Sequence, residues 1–473
     1  GIGEGLTFHA DAENNIAIGA NALNSTSGDA DWNIAIGTSA LTFLTTGDAN
    51  IAIGYNAGDA MTANNKNIAI GYATLTSADN GENNNTAIGY GAMTNVNADG
   101  ADYNVAIGQT ALSGGTSTGS SNVAIGRDVM NQSTNAADSC VIIGNSACQG
   151  AMTSDADASI FIGYETGQDI TSGIGNVAVG AQALKQEDDG DFSTAIGYKA
   201  LTAQTGVSGT VGNTAIGYQA GLSMTSGTQN VLIGYAAGDA MTDNNQNIAI
   251  GGASLTTADS GENYNIAIGF ESMKYANTAG IDYNVAIGNG ALTGGTGELQ
   301  GNIAIGHAAL DATSGNSSTG QVAIGYNAGT AITSGAGNLA IGYQSMKAHT
   351  TANRNTCIGY NTMYAASGDS LGSYDNVFIG YQAASGSWSG DVSKLNVGIG
   401  YEAMAGAMQG STNNVAIGYQ ALTNLTTGDD NVVIGKSAGD VMTDNIQNIA
   451  IGTNALGAAD AGENGNIAIG HSA

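Results

Sequence analysis

A short phrase recurs 26 times along the 473 residues of this chain: an asparagine, a β-branched residue, usually an alanine, then isoleucine and glycine. Its first copy is Asn15-Ile16-Ala17-Ile18-Gly19, and the glycine returns at positions 37, 54, 71 and onward to 470. A period of about 20 residues is typical of solenoid proteins, in which each repeat is too small to bury its own apolar side chains and does so by stacking on its neighbours. The repeat therefore predicts a long regular molecule whose function lies on an extended surface and not in one pocket.

The positions inside each repeat, counted from the glycine as position 0, predict a β-strand. Position −1 is isoleucine in 25 of 26 copies, and position −3 is valine, isoleucine or threonine in all but one. Alternating β-branched residues that end at a glycine are a strand pattern. Position +4, most often leucine or methionine, indicates a second short strand on the other side of a flattened roll. The sequence thus predicts an all-β fold, a parallel β-solenoid (β-roll) of 26 coils with a mean repeat of about 18 residues.

A longer period overlies the first. The stretch that begins at Gly58 with Asp59-Ala60-Met61 returns ten coils later at Gly238, and it begins a third time at Gly439. We expect a single continuous array over residues 1–473, with blocks that begin near 58, 238 and 439, and we expect it to be a segment of a longer protein because the repeat is under way at both ends. Duplication of whole blocks suggests selection for length, as in a shaft or spacer.

The strand phrase has two faces, and both are uncharged. If the isoleucines at position −1 point inward, they form the core of the roll. The representative core residues predicted in this way are Ile18, Ile36, Ile53, Ile233 and Ile250. Position −2, which is alanine in 19 of 26 copies, then forms a flat outer stripe suited to self-association. The alternative, equally compatible with the sequence, is that the alanine row faces a thin region of the core.

Position −4 is asparagine in 22 of 26 copies. An amide side chain that both donates and accepts can bond to the same residue one coil away and to turn backbone, which predicts a structural asparagine ladder. Its representative members are Asn15, Asn33, Asn50, Asn67, Asn213, Asn230, Asn247, Asn414 and Asn431. The alternative is a row of ligands for a metal ion or a sugar.

Position +1 is tyrosine in 13 copies, which predicts a row of surface aromatics. The row includes Tyr55, Tyr72, Tyr90, Tyr198, Tyr218, Tyr235, Tyr326 and Tyr343. Stacked aromatic side chains can bind glycans or a partner strand, but cross-strand aromatic pairs also simply stabilise a sheet. The sequence leaves both roles open and favours the stabilising one.

Charge and composition exclude several functions. There are 9 Lys plus Arg against 39 Asp plus Glu, a net charge of −30, and the basic residues are scattered singly. Nucleic acid, which requires clustered Lys and Arg, is therefore not an expected partner. Membrane insertion is not expected either, because glycine and polar residues interrupt every apolar run. Acidic turns such as Asp429-Asp430 and Glu187-Asp188-Asp189 could bind Ca²⁺, but solvated charge explains them adequately and is the favoured interpretation.

Catalysis is not expected. The four histidines are His9, His307, His349 and His471, and no Ser-His-acid grouping, Cys-His metal spacing or phosphate-binding glycine loop can be assembled around them. Cys140 and Cys148 share one coil and either pair or are two small buried residues, while a third cysteine leaves the number odd. We therefore predict no enzyme activity and no required cofactor, with Ca²⁺ as the one ion worth testing.

The phrase Asn-x-Ala-Ile-Gly-Tyr-Gln-Ala, complete from Asn213 to Ala220 and from Asn414 to Ala421, resembles the head repeat of YadA-like trimeric autotransporter adhesins. It resembles still more the repeats of phage tail-fibre proteins of the chaperone-of-endosialidase type. The resemblance covers nearly the whole chain, although the coil here is longer than in the adhesin heads. It implies an intertwined homotrimeric rod that projects from a surface.

These observations predict a structural and adhesive fibre protein, an extracellular or virion-borne shaft or spacer located at a cell surface or on a virion. The expected partners are other copies of the chain, as a homo-oligomer and by resemblance a trimer, and host or surface glycans. The alternative is a subunit of a self-assembling extracellular filament.

Overall fold

The structure is a computed structural model, and it describes most of the chain. The described ranges are 12–26, 29–79, 81–96, 100–114, 116–132, 134–205, 208–277, 280–294, 297–313, 318–364, 372–388, 391–459 and 461–473. They fall into two compact units, Gly1–Leu232 and Ile233–Ala473. The single continuous array expected from the sequence stays a prediction.

Each repeat phrase forms a short strand over positions −3 to −1, which we call the repeat strand. The first unit contains Ile16–Ile18, Ile34–Ile36, Ile51–Ile53, Ile68–Ile70, Thr86–Ile88, Val105–Ile107, Val123–Ile125, Val141–Ile143, Ile160–Ile162, Val177–Val179, Thr194–Ile196 and Thr214–Ile216. Val231–Ile233 spans the boundary. The second unit contains Ile248–Ile250, Ile266–Ile268, Val285–Ile287, Ile303–Ile305, Val322–Ile324, Leu339–Ile341, Thr356–Ile358, Val377–Ile379, Val397–Ile399, Val415–Ile417, Val432–Ile434, Ile449–Ile451 and Ile467–Ile469.

Consecutive repeat strands pair in parallel with equivalent positions opposite one another. Ile16 pairs with Ile34, Ala17 with Ala35 and Ile18 with Ile36, and the same register recurs within each unit. Each unit is therefore an all-β parallel β-solenoid with the repeat length that the sequence predicts. Within the described ranges, the further elements are short strands and one 3₁₀ turn: Thr116–Ser117, Thr134–Asn135, Gly190–Asp191, Gly209–Thr210, Leu299–Gln300, Ser318–Thr319, Gly335–Ala336 and the turn Ser154–Ala156.

The glycine at position 0 is required by the close approach of neighbouring coils. Gly37 has a φ of +136°, and a Cβ atom there would lie 2.3 Å from the carbonyl oxygen of Gly54 in the next coil. Any side chain would force the two coils apart. This explains why the glycine returns at the end of every repeat strand.

Three corners of each coil adopt the left-handed conformation, at positions −5, +2 and +4. In the coil of Gly37 these are Trp32, Ser39 and Leu41, with φ of 62°, 56° and 52°. Such a conformation costs about 1 kcal/mol per non-glycine residue. Hydrogen bonds between coils offset this cost, for example from the Ser39 N–H to the Ala20 carbonyl at 2.9 Å. Because the chain turns at both +2 and +4, the second strand predicted around position +4 does not form there in the described coils. Second short strands occur further along some coils, such as Thr116–Ser117 and Leu299–Gln300.

The core lies on the alanine side of the repeat strand. Ala35 is fully buried, together with Leu41 and Leu44 of the same coil. Of the two alternatives left open by the sequence, the structure therefore places the alanine row at position −2 inside the roll. The interior is thin because each coil is short and bends at three sharp corners. Such a coil encloses little more than one alanine and one or two larger side chains.

The isoleucines predicted to form the core instead project from the outer face of the sheet, and that prediction is wrong for the single chain. Ile18 is 44% exposed and Ile53 is 36% exposed. Ile36, Ile233 and Ile250 are half-buried. The physical reason is volume: two isoleucines per strand do not fit within so narrow a coil, whereas one alanine does.

Side-chain volumes on the two sides of the core compensate one another. Where position −2 is large, position +4 is small, as in Phe161 with Gly167 and Phe378 with Ala384. A Cβ atom on Gly167 would lie 2.5 Å from the ring of Phe161. These pairs show that the core is filled to a nearly constant volume from coil to coil, as expected for a close-packed interior.

Candidate functional surfaces

Positions −3 and −1 together form an apolar surface, which we call the aliphatic face. In each described repeat strand these two positions are isoleucine, valine, threonine or leucine, so the face has no charged side chain. Their side chains are half-buried or exposed in both units, in the pattern seen at Ile34–Ile36 and Val285–Ile287. Extended contiguous apolar patches are rare on monomeric proteins and mark interaction sites. The aliphatic face is therefore the leading candidate surface.

The predicted asparagine ladder is buried and used for hydrogen bonding. In the first unit the Asn15 Oδ1 atom accepts from the Asn33 N–H at 2.8 Å, and the Asn33 Oδ1 atom accepts from the Asn50 N–H at 2.9 Å. Each Nδ2 group also donates to a turn carbonyl, as from Asn33 to Gly47 at 2.8 Å. The same arrangement holds at the other predicted members, which are Asn67, Asn213, Asn230, Asn247, Asn414 and Asn431.

Because these amides are occupied, they are poorly placed to serve as ligands. All the predicted members except Asn15 are buried, and their oxygen and nitrogen atoms already contact backbone groups of the neighbouring coils. A metal ion or a sugar would have to break bonds that hold consecutive coils in register. The arrangement therefore supports the structural interpretation and not the alternative of a ligand row.

A second ladder, at position −6, was missed by the sequence reasoning. The Asp31 N–H donates to the Asp48 Oδ1 atom at 2.8 Å, and the Asp48 N–H donates to the Asn65 Oδ1 atom at 2.8 Å. This ladder runs in the opposite direction to the first, because here the earlier coil donates and the later coil accepts. Asp or Asn recurring two positions before the asparagine of position −4 was the signal that could have revealed it. Part of the acidic excess is thus structural.

The predicted tyrosine row is exposed and stacked. Tyr55, Tyr72 and Tyr90 form one series, with ring centroids 5.2 Å apart at both contacts. Tyr198 and Tyr218 form a pair at 5.4 Å. Tyr326 and Tyr343 are 5.3 Å apart, and Tyr235 is also exposed.

Stacking limits what the tyrosine row can bind. Each inner ring covers the faces of its neighbours, at interplanar angles such as 5° between Tyr72 and Tyr90, and leaves its edge and hydroxyl group to the solvent. Glycans usually bind aromatic side chains through the free face of the ring, so an inner ring offers them little. The geometry favours the stabilising role of the row over glycan binding.

The acidic turns show one possible cation cluster among the described residues, formed by Glu187, Asp188 and Asp189. The Glu187 Oε1 atom already accepts from the Gly190 N–H at 2.7 Å, and its other oxygen accepts from Gln204. Burial raises the pKa of the Glu187 carboxyl. A cation would therefore compete with hydrogen bonds that close the turn, and the predicted Ca²⁺ site gains no support from this geometry.

The cysteines and histidines do not assemble a reactive centre within the described ranges. Cys140, Cys148 and Cys357 are free and buried. Burial raises the pKa of the Cys140 thiol to about 11, so the reactive thiolate is disfavoured. The His307 ring stacks on Tyr326, and His349 is buried against Trp388. His9 lies outside the described residues. The absence of enzyme activity stays a prediction.

Comparison of the chain with protein-family models gives no match, and comparison with curated proteins gives none either. Within the ranges that the structure describes, no helix has the length and apolar character required to cross a membrane.

Proposed function

We propose that this chain is a structural fibre protein, an extracellular or virion-borne shaft or spacer that self-associates through its aliphatic face. The observation that carries the proposal is the exposure of two uncharged, mostly β-branched side chains per coil in a chain whose net charge is −30. Acidic side chains occur in the turns, whereas the sheet face is free of them. A surface kept apolar in this way is suited to contact with another protein surface.

The free energy available from covering this face is substantial. Complete burial of an isoleucine or valine side chain contributes about 1.5–3 kcal/mol, and most of these side chains are no more than about a third exposed, so at most about 0.5–1 kcal/mol per side chain remains. Over ten coils, with two side chains each, the sum is on the order of 10 kcal/mol before the entropy cost of association. This is comparable to the entropy cost of association, about 4–15 kcal/mol, and a longer contact contributes more.

The partner that fits best is a second copy of the chain. The apolar rows repeat at the spacing of the coils, and an identical solenoid has rows at the same spacing. Apolar side chains can then meet along the whole contact length, as in other symmetric homo-oligomers. The resemblance of the repeat phrase to trimeric adhesins and tail fibres makes three copies the proposed number. Binding to glycans is the less supported part of the proposal, because the tyrosine faces are covered.

Placing charge on the aliphatic face tests the proposal. The face variant carries Ile250→Lys, Ile268→Lys and Ile287→Lys in three consecutive repeat strands. We expect it to lose the oligomer while keeping a β-type circular dichroism spectrum, because these side chains point away from the core. Light scattering of the unaltered chain should give a mass three times the 46.7 kDa of one copy.

The matched control adds the same three charges outside the face, as Ser260→Lys, Asn289→Lys and Gln300→Lys, all at exposed positions. It should keep the oligomer. An unaltered chain that runs as a monomer would refute the self-association, and a face variant that stays oligomeric would place the contact elsewhere. A mass that grows without limit as concentration rises would favour the alternative, a self-assembling filament.

A further inference from the structure

Six tyrosines of the second unit form a continuous stack, which we call the tyrosine run. They are Tyr326, Tyr343, Tyr360, Tyr381, Tyr401 and Tyr419. The five successive centroid distances are 5.3, 5.0, 5.3, 4.9 and 5.0 Å, and the interplanar angles lie between 6° and 10°. All six side chains are between 41% and 45% exposed. The run thus combines close parallel rings with access for a reagent from solvent.

Backbone hydrogen bonds fix the spacing of these rings. The Tyr326 carbonyl accepts from the Gln344 N–H at 2.8 Å, one position beyond the next tyrosine, and the Tyr360 carbonyl accepts from the Gln382 N–H at 2.8 Å. Neighbouring rings therefore cannot drift apart while the coils stay paired. Holding two reactants together in this way gives them a high effective concentration relative to reactants that meet by diffusion.

We propose that the tyrosine run is a site of oxidative cross-linking, in which neighbouring tyrosines couple to dityrosine when a haem peroxidase acts with hydrogen peroxide. Each of two neighbouring phenols loses one electron and one proton to the oxidant. The two phenoxyl radicals form a carbon–carbon bond between the ring carbons next to the hydroxyl groups, and the rings regain aromaticity by moving two protons to the oxygens. The balance is two electrons and two protons removed per bridge, which reduce one hydrogen peroxide to two water molecules.

The stack also explains why neighbours couple in preference to distant tyrosines. A radical on one ring can take an electron and a proton from the adjacent phenol, so the radical can move along the run until a second radical lies beside it. The product joins consecutive coils covalently and closes a loop one repeat long, as from Tyr326 to Tyr343. Such a bridge prevents a coil from separating from its neighbour, and this inference does not depend on self-association of the chain.

Tyr164 provides an internal comparison. It occupies the same position +1 and is similarly exposed, but its row neighbours in the adjacent coils are Asn145 and Ala181. Tyr164 therefore has no tyrosine in the row on either side. Coupling directed by the stack should leave Tyr164 out of intrachain bridges, whereas coupling directed by exposure alone should include it.

The experiment treats the folded chain with horseradish peroxidase and hydrogen peroxide and maps linked peptides by mass spectrometry after proteolysis. Linked peptides from the run should join row neighbours and weigh two hydrogen atoms less than the sum of the two parts. The alternating variant Tyr343→Phe, Tyr381→Phe, Tyr419→Phe keeps six stacked rings but leaves no two tyrosines adjacent in the run. We expect it to lose the linked peptides of the run.

The matched control, Tyr103→Phe, Tyr164→Phe, Tyr275→Phe, removes the same number of exposed hydroxyl groups outside the run and should keep the run's linked peptides. The urea-unfolded chain should lose the preference for row neighbours. The proposal is overturned if bridges in the folded chain join tyrosines irrespective of the row, if the alternating variant and the control give equal yields, or if no bridge forms. Bridges between chains are distinguished by their size on a denaturing gel.

Discussion

Gly398→Ala tests the packing of the core in a coil that lies beside the buried aromatic rings of Phe378 and Trp388. Gly398 occupies position −2, where most coils carry alanine, and a Cβ atom there would lie 2.8 Å from the Cδ1 atom of Phe378 in the preceding coil. The Phe378 ring cannot move aside easily, because it packs edge-on against Trp388 at a centroid distance of 5.8 Å. The indole N–H of Trp388 is in turn held by the Ala384 carbonyl at 2.9 Å.

The expected effect is a moderate loss of stability. Overpacking of a core typically costs about 1–3 kcal/mol. Replacing glycine with alanine also reduces the conformational freedom of the unfolded chain, which stabilises the folded state by about 0.4–1 kcal/mol. The net loss should be about 1–2 kcal/mol in the free energy of unfolding. Urea unfolding followed by tryptophan fluorescence measures it locally, because Trp388 is buried beside the substitution. The second tryptophan, the exposed Trp32, can be removed in a Trp32→Phe background.

Gly252→Ala is the matched control, because its new Cβ atom would meet only the ring of Phe270 at an ordinary 3.4 Å. It should be neutral or slightly stabilising. In addition, Phe378→Leu should make Gly398→Ala tolerable, with a coupling energy of about 1 kcal/mol or more in a double-mutant cycle. If Gly398→Ala is as harmless as the control, the packing described for this coil is incorrect.

Four further predictions concern the faces, the ladders and the charges. Ala267→Asp should unfold its region, because it buries a charge at a cost of several kcal/mol. Ile268→Asp should leave the fold intact, because that side chain lies on the outer face. Equal melting temperatures of the two variants would contradict the assignment of the inner face. Asn284→Ala should cost about 1–3 kcal/mol because it leaves the Asn302 N–H without its acceptor and removes one of the two hydrogen bonds to the Leu299 carbonyl, which keeps the one from the Asp282 N–H; a loss below about 0.5 kcal/mol in urea unfolding would argue against the ladder. The hydrogen bond from Lys185, with those from Tyr164 and Gln182, lowers the pKa of Glu165 from 4.5 to about 2. The Lys185–Glu165 pair therefore stabilises the fold above pH 4.5, and this contribution is lost as the pH falls towards 2. The melting temperature of Lys185→Gln should depend less on pH in that window, and a pH dependence equal to that of the unaltered chain would rule out the contribution of the pair. Ca²⁺ and Mg²⁺ should affect the melting temperature alike, since the acidic turns use their own hydrogen bonds, and a response to Ca²⁺ alone would revive the idea of a built calcium site.

The sequence was sufficient to predict the repeat strands, their register and the asparagine ladder. Each follows from a residue that recurs at one position: the glycine that ends the strand, the isoleucine before it, and the asparagine at position −4. Stacking of identical positions follows directly from such a period. The tyrosine row at position +1 could be expected at the surface for the same reason.

The direction of the core could not be predicted from alternation alone. Alternation defines two faces of the strand, but both faces of this strand are uncharged, and the general preference for large apolar side chains in a core favours the wrong face. The deciding quantity is the volume that the coil encloses, and this depends on the left-handed corners at Trp32, Ser39 and Leu41 and their equivalents. The exchange of size between Phe161 and Gly167 was the one sequence signal of the inner face, because a large residue at position −2 is matched by a small one at +4.

The ladder at position −6 was missed because its members vary. Asp48 and Asn65 serve equally well as acceptors there, since only one side-chain oxygen is needed. A single residue type that recurs at one position is easier to detect in a sequence than an acceptor oxygen that either Asp or Asn can supply. The same variation made the acidic residues resemble solvated turns or calcium ligands.

The opposite directions of the two ladders have a mechanical consequence. In the coils of Gly37, Gly54, Gly71 and Gly89, the N–H at position −4 donates to the coil before it and the N–H at position −6 donates to the coil after it, as those of Asn33 and Asp31 do. A force that separates these coils must therefore break one bond of each ladder at each junction between them. Across these junctions, the ladder bonds that must break are the same whichever end the force comes from.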